Sequence, residues 1–384
     1  MRKSTMIGMA LLAISCGMVA LLLFNFPFTG AGQAKVVHQP PYVVHRSEAV
    51  PVSTHRARSM VASEQATALL PWGVALDYPN GFTWVAEPGC EPKIKCPPTV
   101  QGVLGQYALS DGTLIQNLNE PSGYSSPLFV TVDKGGNVWF TQPDSDAIGE
   151  YTPQNQNWNQ WSLKKGSLPF DLTFDRYGDL WFTDFGSNAI GFFTPRTHTV
   201  VETPTPTPDS NPYGIAVDPQ GKIWFAENGA GVDQIASFTP TLSGAIKITE
   251  YSVGSLRPHL IAVDRGGNIW YSGGFDGDIG EFTPRSGNIA QFVVYRGTCS
   301  SPTNCTGAHI SGVTVDKQGN VWFTDSLSQQ VGYLIPSTGQ VVARTIGGSN
   351  IHPNDGLVID SSERVWFTEE FGSILAMWPA SVVK

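Results

Sequence analysis

The sequence is poor in charge. Only 14% of its 384 residues are Asp, Glu, Lys or Arg, and acidic residues outnumber basic ones by 32 to 23. Six of the basic residues lie within residues 1–65, so the rest of the chain is more acidic than the formal net charge of −9 indicates. Binding to nucleic acid requires charge of the opposite sign, and we therefore expect no nucleic-acid partner.

Cysteine is scarce as well, with five residues in the chain. Cys16 lies in an apolar stretch, and the other four form two Cys-x5-Cys pairs, Cys90 with Cys96 and Cys299 with Cys305. We predict one local disulfide in each pair, which indicates an oxidising compartment. A four-cysteine metal site is the alternative, although the spacing within each pair is wider than in zinc knuckles.

The N-terminus has the order of a secretory signal. Two basic residues precede an apolar run from Met6 to about Phe28, and small residues follow. The run is also long enough to cross a bilayer as an uncleaved anchor. We expect residues 1–34 to be a signal peptide or a membrane anchor and residues 35–59 to be a flexible linker. The protein would then be secreted, or tethered at the cell surface with membrane contact only through its N-terminal segment.

A repeated unit covers the chain after this linker. The segment NPYGIAVDPQGKIWFAE, residues 211–227, shows it well: an apolar strand, an Asp, a turn and then Trp-Phe. Spacings of 42 to 55 residues between copies are typical of four-stranded propeller blades. The copies centre on Trp84, Trp139, Trp181, Trp224, Trp270, Trp322 and Trp366. We predict an all-β, seven-bladed β-propeller over residues 60–384, with antiparallel blades and a ring closed by a strand from about residues 60–70.

Each recurring feature of the unit has a physical role within one blade. The short apolar run suits an inner strand that is buried on both faces. The Asp that follows it, for example Asp133 or Asp316, accepts hydrogen bonds in the turn, where Gly supplies positive φ. The large Trp ring can then pack between neighbouring blades. We therefore assign the seven tryptophans to the core rather than to a sugar-binding surface.

Both cysteine pairs lie in connections that leave the propeller on one face. One follows the second strand of the first blade, and the other lies between the fifth and sixth blades. Residues before each inner strand and after each Trp-Phe pair reach the same face, at the mouth of the central channel. Clustered carboxylates there can hold Mg²⁺ or Ca²⁺, and an imidazole nearby can act as a general base. The candidates are His259 and His309 as catalytic bases, Trp72, Tyr213, Ser311, His352 and Asp355 for ligand binding, and Asp325, Glu369 and Glu370 for metal.

Two segments carry a resemblance to a known family. The segment PHLIAVDRGGNIWY, residues 258–271, and the motif WFTD, residues 322–325, resemble the streptogramin B lyase (virginiamycin B lyase) family of seven-bladed propellers. The resemblance extends over roughly residues 66–384. It implies a lyase that opens a cyclic depsipeptide by elimination at its ester bond. It also implies a Mg²⁺ ion, glutamates, and histidines in Pro-His pairs before the inner strands of the last two blades.

The family's functional positions correspond only in part to residues of this chain. The two histidine positions correspond to Ser311 and Asp355, and the glutamate before the final Pro-His pair corresponds to Pro353. The late glutamate corresponds to Glu370. The single Pro-His pair in register is the one at His259, one blade earlier.

We therefore expect an exported, monomeric propeller that binds a small molecule or peptide at the disulfide-rimmed face. If it is catalytic, we expect a metal-assisted lyase that uses Mg²⁺, with Ca²⁺ as the alternative ion. Two alternatives remain open: a non-catalytic extracellular binding or scaffold propeller, and a lactonase-type propeller hydrolase with carboxylates around one Ca²⁺.

Overall fold

Seven four-stranded antiparallel sheets are arranged as the blades of a propeller. The computed structural model of the protein describes residues 45–48, 63–67, 70–90, 101–254, 257–294, 298–301, 304–306, 308–346 and 352–379. Within six of the blades, the strands pair in the order of the sequence. The predicted seven-bladed all-β fold is thereby confirmed.

The strand bounds follow the repeat. The first four blades comprise Val74–Asp77, Phe82–Glu87, Val103–Ala108 and Leu114–Asn119; Val130–Val132, Val138–Gln142, Ala147–Thr152 and Asn157–Ser162; Pro169–Phe174, Leu180–Asp184, Ala189–Thr194 and Thr199–Pro204; and Pro212–Val217, Ile223–Glu227, Gln234–Phe238 and Thr249–Ser252. The next two comprise Ile261–Val263, Ile269–Ser272, Asp278–Thr283 and Asn288–Val293; and Ile310–Val315, Val321–Asp325, Gln330–Ile335 and Gln340–Thr345. A short 3-10 helix, Pro143–Ser145, lies in the second blade.

The seventh blade closes the ring, as predicted. It contains Pro353–Ile359, Arg364–Glu369 and Ile374–Pro379, and its outer strand is Ser63–Ala66 from the other end of the chain. Because this strand precedes the first blade in sequence, it joins the two ends of the propeller without an extra sheet.

Three of the described strands lie outside the regular blades. His45–Glu48 pairs in parallel with Asn288–Val293, within the segment that was predicted to be a linker. Thr298–Ser301 and Asn304–Thr306 form a hairpin before the sixth blade. The predicted signal or anchor segment, residues 1–34, lies outside the described residues. Within the described ranges, no helix is long and apolar enough to span a membrane.

The repeated Asp and Trp form the same hydrogen bond in every blade. The indole Nε1 donates to the Asp Oδ2 over 2.9 Å in blades three and seven and 3.4 Å in blade one, with the other four blades in between. All seven indoles are at most 2% exposed. In blade two, Asp133 Oδ1 also accepts from the backbone N–H of Gly135 and Asn137. One carboxylate therefore fixes the turn and anchors the buried indole, because a buried N–H needs an acceptor.

In blades two, three and five, the aromatic residue after the Trp packs on a glycine of the third strand. A Cβ on Gly191 would lie 2.0 Å from Phe182 Cζ, and one on Gly280 would lie 2.0 Å from Tyr271 Cζ. The ring thus covers the bare backbone of its own blade. This requirement explains the glycines near the start of the third strands, which the sequence analysis did not interpret.

Hydroxyl groups on the second strands join neighbouring blades near the channel. Thr183 Oγ1 donates to the carbonyl of Tyr213 over 2.6 Å, and Ser272 Oγ donates to the carbonyl of Ser311 over 2.7 Å. Thr368 Oγ1 makes the same bond to Trp72 across the ring closure, over 2.7 Å. These bonds hold the start of each inner strand, and therefore the residues at the channel mouth, in a fixed place.

Candidate functional site

One buried carboxylate, that of Asp355, lies where side chains from five blades meet. Trp72 Nε1 and the Tyr213 hydroxyl donate to its Oδ2 over 3.1 and 2.7 Å. His259 Nε2 lies 3.2 Å from its Oδ1, and the Ser311 hydroxyl bonds to the same oxygen. The four partners belong to blades one, four, five and six, while Asp355 belongs to blade seven. The carboxylate therefore connects opposite sides of the channel.

The surroundings of this carboxylate favour its ionised form. Asp355 is 5% exposed and His259 is 6% exposed. Burial would raise the pKa of Asp355, but the nearby His259 and the donated hydrogen bonds outweigh it and hold the pKa below its ordinary value. The ring of Tyr213 stacks on that of His259 with centroids 4.0 Å apart.

Asn354 extends the network towards the seventh blade. The Ser311 hydroxyl lies 2.9 Å from Asn354 Oδ1, and Asn354 Nδ2 donates to Glu370 Oε2 over 3.1 Å. The same Glu370 oxygen lies 3.0 Å from His352 Nδ1. Asn354 was not among the predicted site residues, although its position directly before Asp355 indicated that it could reach the channel mouth. We call Trp72, Tyr213, His259, Ser311, Asn354 and Asp355 the mouth network.

His309 lies beside this network rather than within it. Its ring is edge-on to that of His259, with centroids 5.4 Å apart, and its Nδ1 lies 2.9 Å from the Ser326 hydroxyl. The Ser326 N–H donates to the His309 carbonyl over 3.1 Å, and the Glu370 N–H donates to the His352 carbonyl over 3.0 Å. The connections after the second strands and before the first strands thus lie on one face, as the sequence analysis expected.

The opposite wall of the mouth is aromatic. Tyr213 packs against Phe170 with ring centroids 4.7 Å apart and against Phe129 at 6.3 Å. Asp171, next to Phe170, accepts the backbone N–H groups of Leu172 and Ile215. Burial raises the pKa of Asp171 to about 7, so this carboxyl adds little negative charge to the mouth in mildly acidic solution.

The three carboxylates predicted as metal ligands lie in two neighbouring blades: Asp325 ends the second strand of blade six, Glu369 ends that of blade seven, and Glu370 follows it directly. Asp325 Oδ1 accepts from the backbone N–H groups of His309 and Ser328, both over 3.0 Å. Burial raises the pKa of Asp325. Glu369 is fully buried, and Glu370 is 1% exposed. Among the described residues, Asp325 Oδ2 and Glu370 Oε1 are buried and have no hydrogen-bond partner, so each could offer a single oxygen.

These donors do not fit a resident Mg²⁺ or Ca²⁺ ion. Ca²⁺ takes six to eight oxygen ligands, and Mg²⁺ requires near-octahedral geometry. In the described part of the chain, no three His, Cys, Asp or Glu side chains converge closely enough to hold a metal ion. Asp355, the most central carboxylate, already accepts from four donors. A metal ion would have to displace some of these donors.

Three exposed apolar side chains border the mouth on consecutive blades. Phe275, Leu327 and Phe371 are 66%, 42% and 48% exposed. Each is the fifth residue after the Trp of blade five, six or seven. The same position in the first four blades holds Gly89, Asp144, Gly186 and Gly229. We call Phe275, Leu327 and Phe371 the apolar rim.

Two rim residues lie directly against histidines. The rings of Phe275 and His309 have centroids 4.3 Å apart, and those of Phe371 and His352 are 4.7 Å apart. The rim therefore places an apolar surface beside imidazole nitrogens, on the same sector as the mouth network. The sequence analysis named the histidines but missed the rim, whose signal was the repeated position after Trp.

The predicted cysteine pairs lie only partly within the described residues. Cys90 is disulfide-bonded, but its expected partner, Cys96, lies outside the described residues. The backbone places Cys299 opposite Cys305 across the extra hairpin. Both pairings stay predictions.

The fold defines a seven-bladed β-propeller whose last three blades carry a polar, histidine-containing mouth. The profile of the Virginiamycin B lyase family matches residues 101–309. This match covers more than half of the chain, and the protein belongs to that family. The resemblance of the two segments to this family is thereby confirmed.

Solved structures support the fold. Virginiamycin B lyase from Staphylococcus aureus superposes with a TM-score of 0.68 at 23% identity, over 83% of this chain and 99% of that one. A catalytically inactive variant of that enzyme with quinupristin gives 0.67 at 22% identity, over 83% and 98%. The extracellular domain of a hybrid two-component system from B. thetaiotaomicron gives 0.60 at 16% identity, over 84% and 42%. No curated protein sequence matches the chain.

Proposed function

We propose that the protein binds a small molecule or peptide at the channel mouth and that an apolar group of the ligand lies on the apolar rim. The observation that carries this proposal is the exposure of Phe275, Leu327 and Phe371 on three consecutive blades. Exposed apolar side chains on neighbouring elements mark ligand or partner sites more often than isolated ones do. The nearby histidines supply polar groups that can orient the ligand.

Elimination at an ester bond is the second candidate function. It is favoured by the pairing of His352 Nδ1 with Glu370 Oε2 over 3.0 Å. A carboxylate that holds one ring nitrogen leaves the other, Nε2, to take a proton from a substrate. Glu370 is also the residue that corresponds to the family's late glutamate. We therefore assign the role of candidate base to His352 in addition to His309, which lies beside Ser326.

We also propose that the protein is exported and acts as a monomer outside the cytoplasm. The disulfide at Cys90 and the N-terminal apolar run support this location. Under this proposal, the last three blades face an extracellular ligand.

The test uses quinupristin, the compound present with the Staphylococcus aureus variant, as the probe. Calorimetry with the full-length protein measures its Kd, and mass spectrometry follows its fate. A linear product of unchanged mass indicates elimination, a gain of one water indicates hydrolysis, and intact bound probe indicates a recognition module. The absence of binding by quinupristin and by a panel of apolar cyclic peptides would contradict the proposal.

Phe371→Ala tests the apolar rim directly. We expect Kd to rise about tenfold, because a buried aromatic ring contributes about 1.5–3 kcal/mol and part of that contact survives in alanine. Leu242→Ala is the matched control. Leu242 is 65% exposed but lies between the third and fourth strands of blade four, on the opposite face, and its substitution should leave Kd unchanged.

A further inference from the structure

We propose that the His259–Asp355 pair takes the place of a divalent cation at the mouth, and that Asp355 is the positioning residue that fixes the His259 ring. On this proposal, ligand binding at the mouth does not depend on Mg²⁺. The inference rests on the proposed function for its binding readout, and its other readouts are independent of any ligand.

The carboxylate of Asp355 already accepts hydrogen bonds on both oxygens. Each oxygen of Asp355 accepts from two side chains: Trp72 and Tyr213 at Oδ2, and His259 and Ser311 at Oδ1. A cation that bound this carboxylate would have to replace some of these bonds in a site that is 5% exposed. Removal of the partners of buried polar groups is costly.

The positions of Ser311 and Asp355 in the repeat also bear on the metal. Ser311 and Asp355 stand at the two positions where the family resemblance implies histidines. Ser311 and Asp355 bond to each other, and the imidazole that contacts Asp355 comes from His259 in blade five. The group opposite Asp355 Oδ1 is thus a side chain of the protein, with the two atoms 3.2 Å apart.

The other carboxylates near the mouth, Glu370 and Asp325, are bonded to separate partners. Glu370 Oε2 bonds to His352 and Asn354, and Asp325 Oδ1 bonds to two backbone N–H groups. Each has one oxygen without a partner, but no third ligand converges with them in the described residues. The bonded His259–Asp355 pair therefore occupies the centre of the mouth, where a cation would have to bind.

The first experiment compares the full-length protein in EDTA and in millimolar MgCl₂, at ionic strength matched with NaCl. We expect Tm to differ by less than about 1 °C and the Kd of quinupristin to differ by less than about twofold. A Tm rise of about 2 °C or more with Mg²⁺ that disappears in Glu370→Gln would overturn the inference. So would binding of quinupristin that requires Mg²⁺.

The second experiment observes the ring proton of His259 by NMR. An imidazole N–H that is bonded to a carboxylate and 6% exposed should exchange slowly with solvent and give a resolved low-field signal. His259→Gln assigns this signal, and Asp355→Asn should abolish it although the histidine is still present. A signal that survives in Asp355→Asn, or that moves when Mg²⁺ is added to the wild-type protein, would refute the positioning role.

The two readouts also separate this inference from the proposed function. If quinupristin does not bind, the proposed function fails, but the Mg²⁺ dependence of Tm and the ring-proton signal still decide the inference. If Asp355→Asn does not fold, the wild-type measurements in EDTA and MgCl₂ decide it.

Discussion

Replacement of Asp355 by Asn should destabilise the protein far more than a typical surface substitution. The change removes the negative charge next to His259 and places an amide N–H₂ among four donors. Removal of one partner of a buried ion pair costs about 3–5 kcal/mol. We expect about 3 kcal/mol, the low end of that range, because the Asn carbonyl oxygen can still accept hydrogen bonds.

The measurement is urea unfolding at pH 7, followed by the fluorescence of the buried tryptophans, with m-values compared between variants. Asp171→Asn is the matched control. It lies in the same mouth, but burial raises its pKa to about 7, so its substitution removes less charge. A loss in Asp355→Asn of less than about 0.5 kcal/mol, or one no larger than that in Asp171→Asn, would refute the reasoning.

The difference between wild type and Asp355→Asn should also depend on pH in one direction. The pKa of Asp355 is lowered in the folded protein. Its stabilising contribution is therefore present above the unfolded-state pKa of about 4 and is lost as pH falls through the folded-state value. The two unfolding curves should approach each other as the solution is acidified below about pH 4.

Two further predictions concern buried carboxyl groups with raised pKa values and a glycine of the third blade. Stability should fall between about pH 4 and pH 8, because burial raises the pKa of Asp171 to about 7, and burial and Glu250 raise that of Glu227 to about 8. Such groups stabilise the fold while protonated and lose that contribution as pH rises through the folded-state value. Urea midpoints at pH 5 and pH 8 measure this, and Glu227→Gln should reduce the difference; an unchanged difference counts against the assignment. Gly191→Ala should lower stability by about 1–3 kcal/mol, because its Cβ would lie 2.0 Å from Phe182 Cζ. A Tm equal to that of the wild type would contradict this packing.

Much of the fold was predictable because the repeated unit is local. The hydrogen bond between Trp181 and Asp175 joins residues six positions apart, and an equivalent bond recurs in each of the other blades. The seven tryptophans of the repeated unit indicated the number of blades, and the incomplete last copy required a closing strand, which is Ser63–Ala66. Local spacing could not indicate the added strand at His45–Glu48, whose partner lies in the fifth blade.

The candidate site was predictable as a set of residues but not as a set of bonds. The periodicity placed Trp72, Tyr213, His259, Ser311 and Asp355 at one face, and the structure brings them into one network. It did not indicate that Asp355 would be the shared acceptor or that the expected metal ligands would bond elsewhere. The apolar rim was equally hidden, because one exposed Phe in a single repeat carries no signal until its neighbours are compared.

The sequence alone determined the blade, the number of blades and the face on which candidate residues gather, because each depends on contacts within about one repeat. Only the tertiary structure decided the chemistry of the mouth. Tyr213 and Trp72 reach Asp355 from 142 and 283 positions away in the chain. Such partners are chosen by the closure of the ring, which sets the distance across the channel, and that distance is a property of all seven blades together.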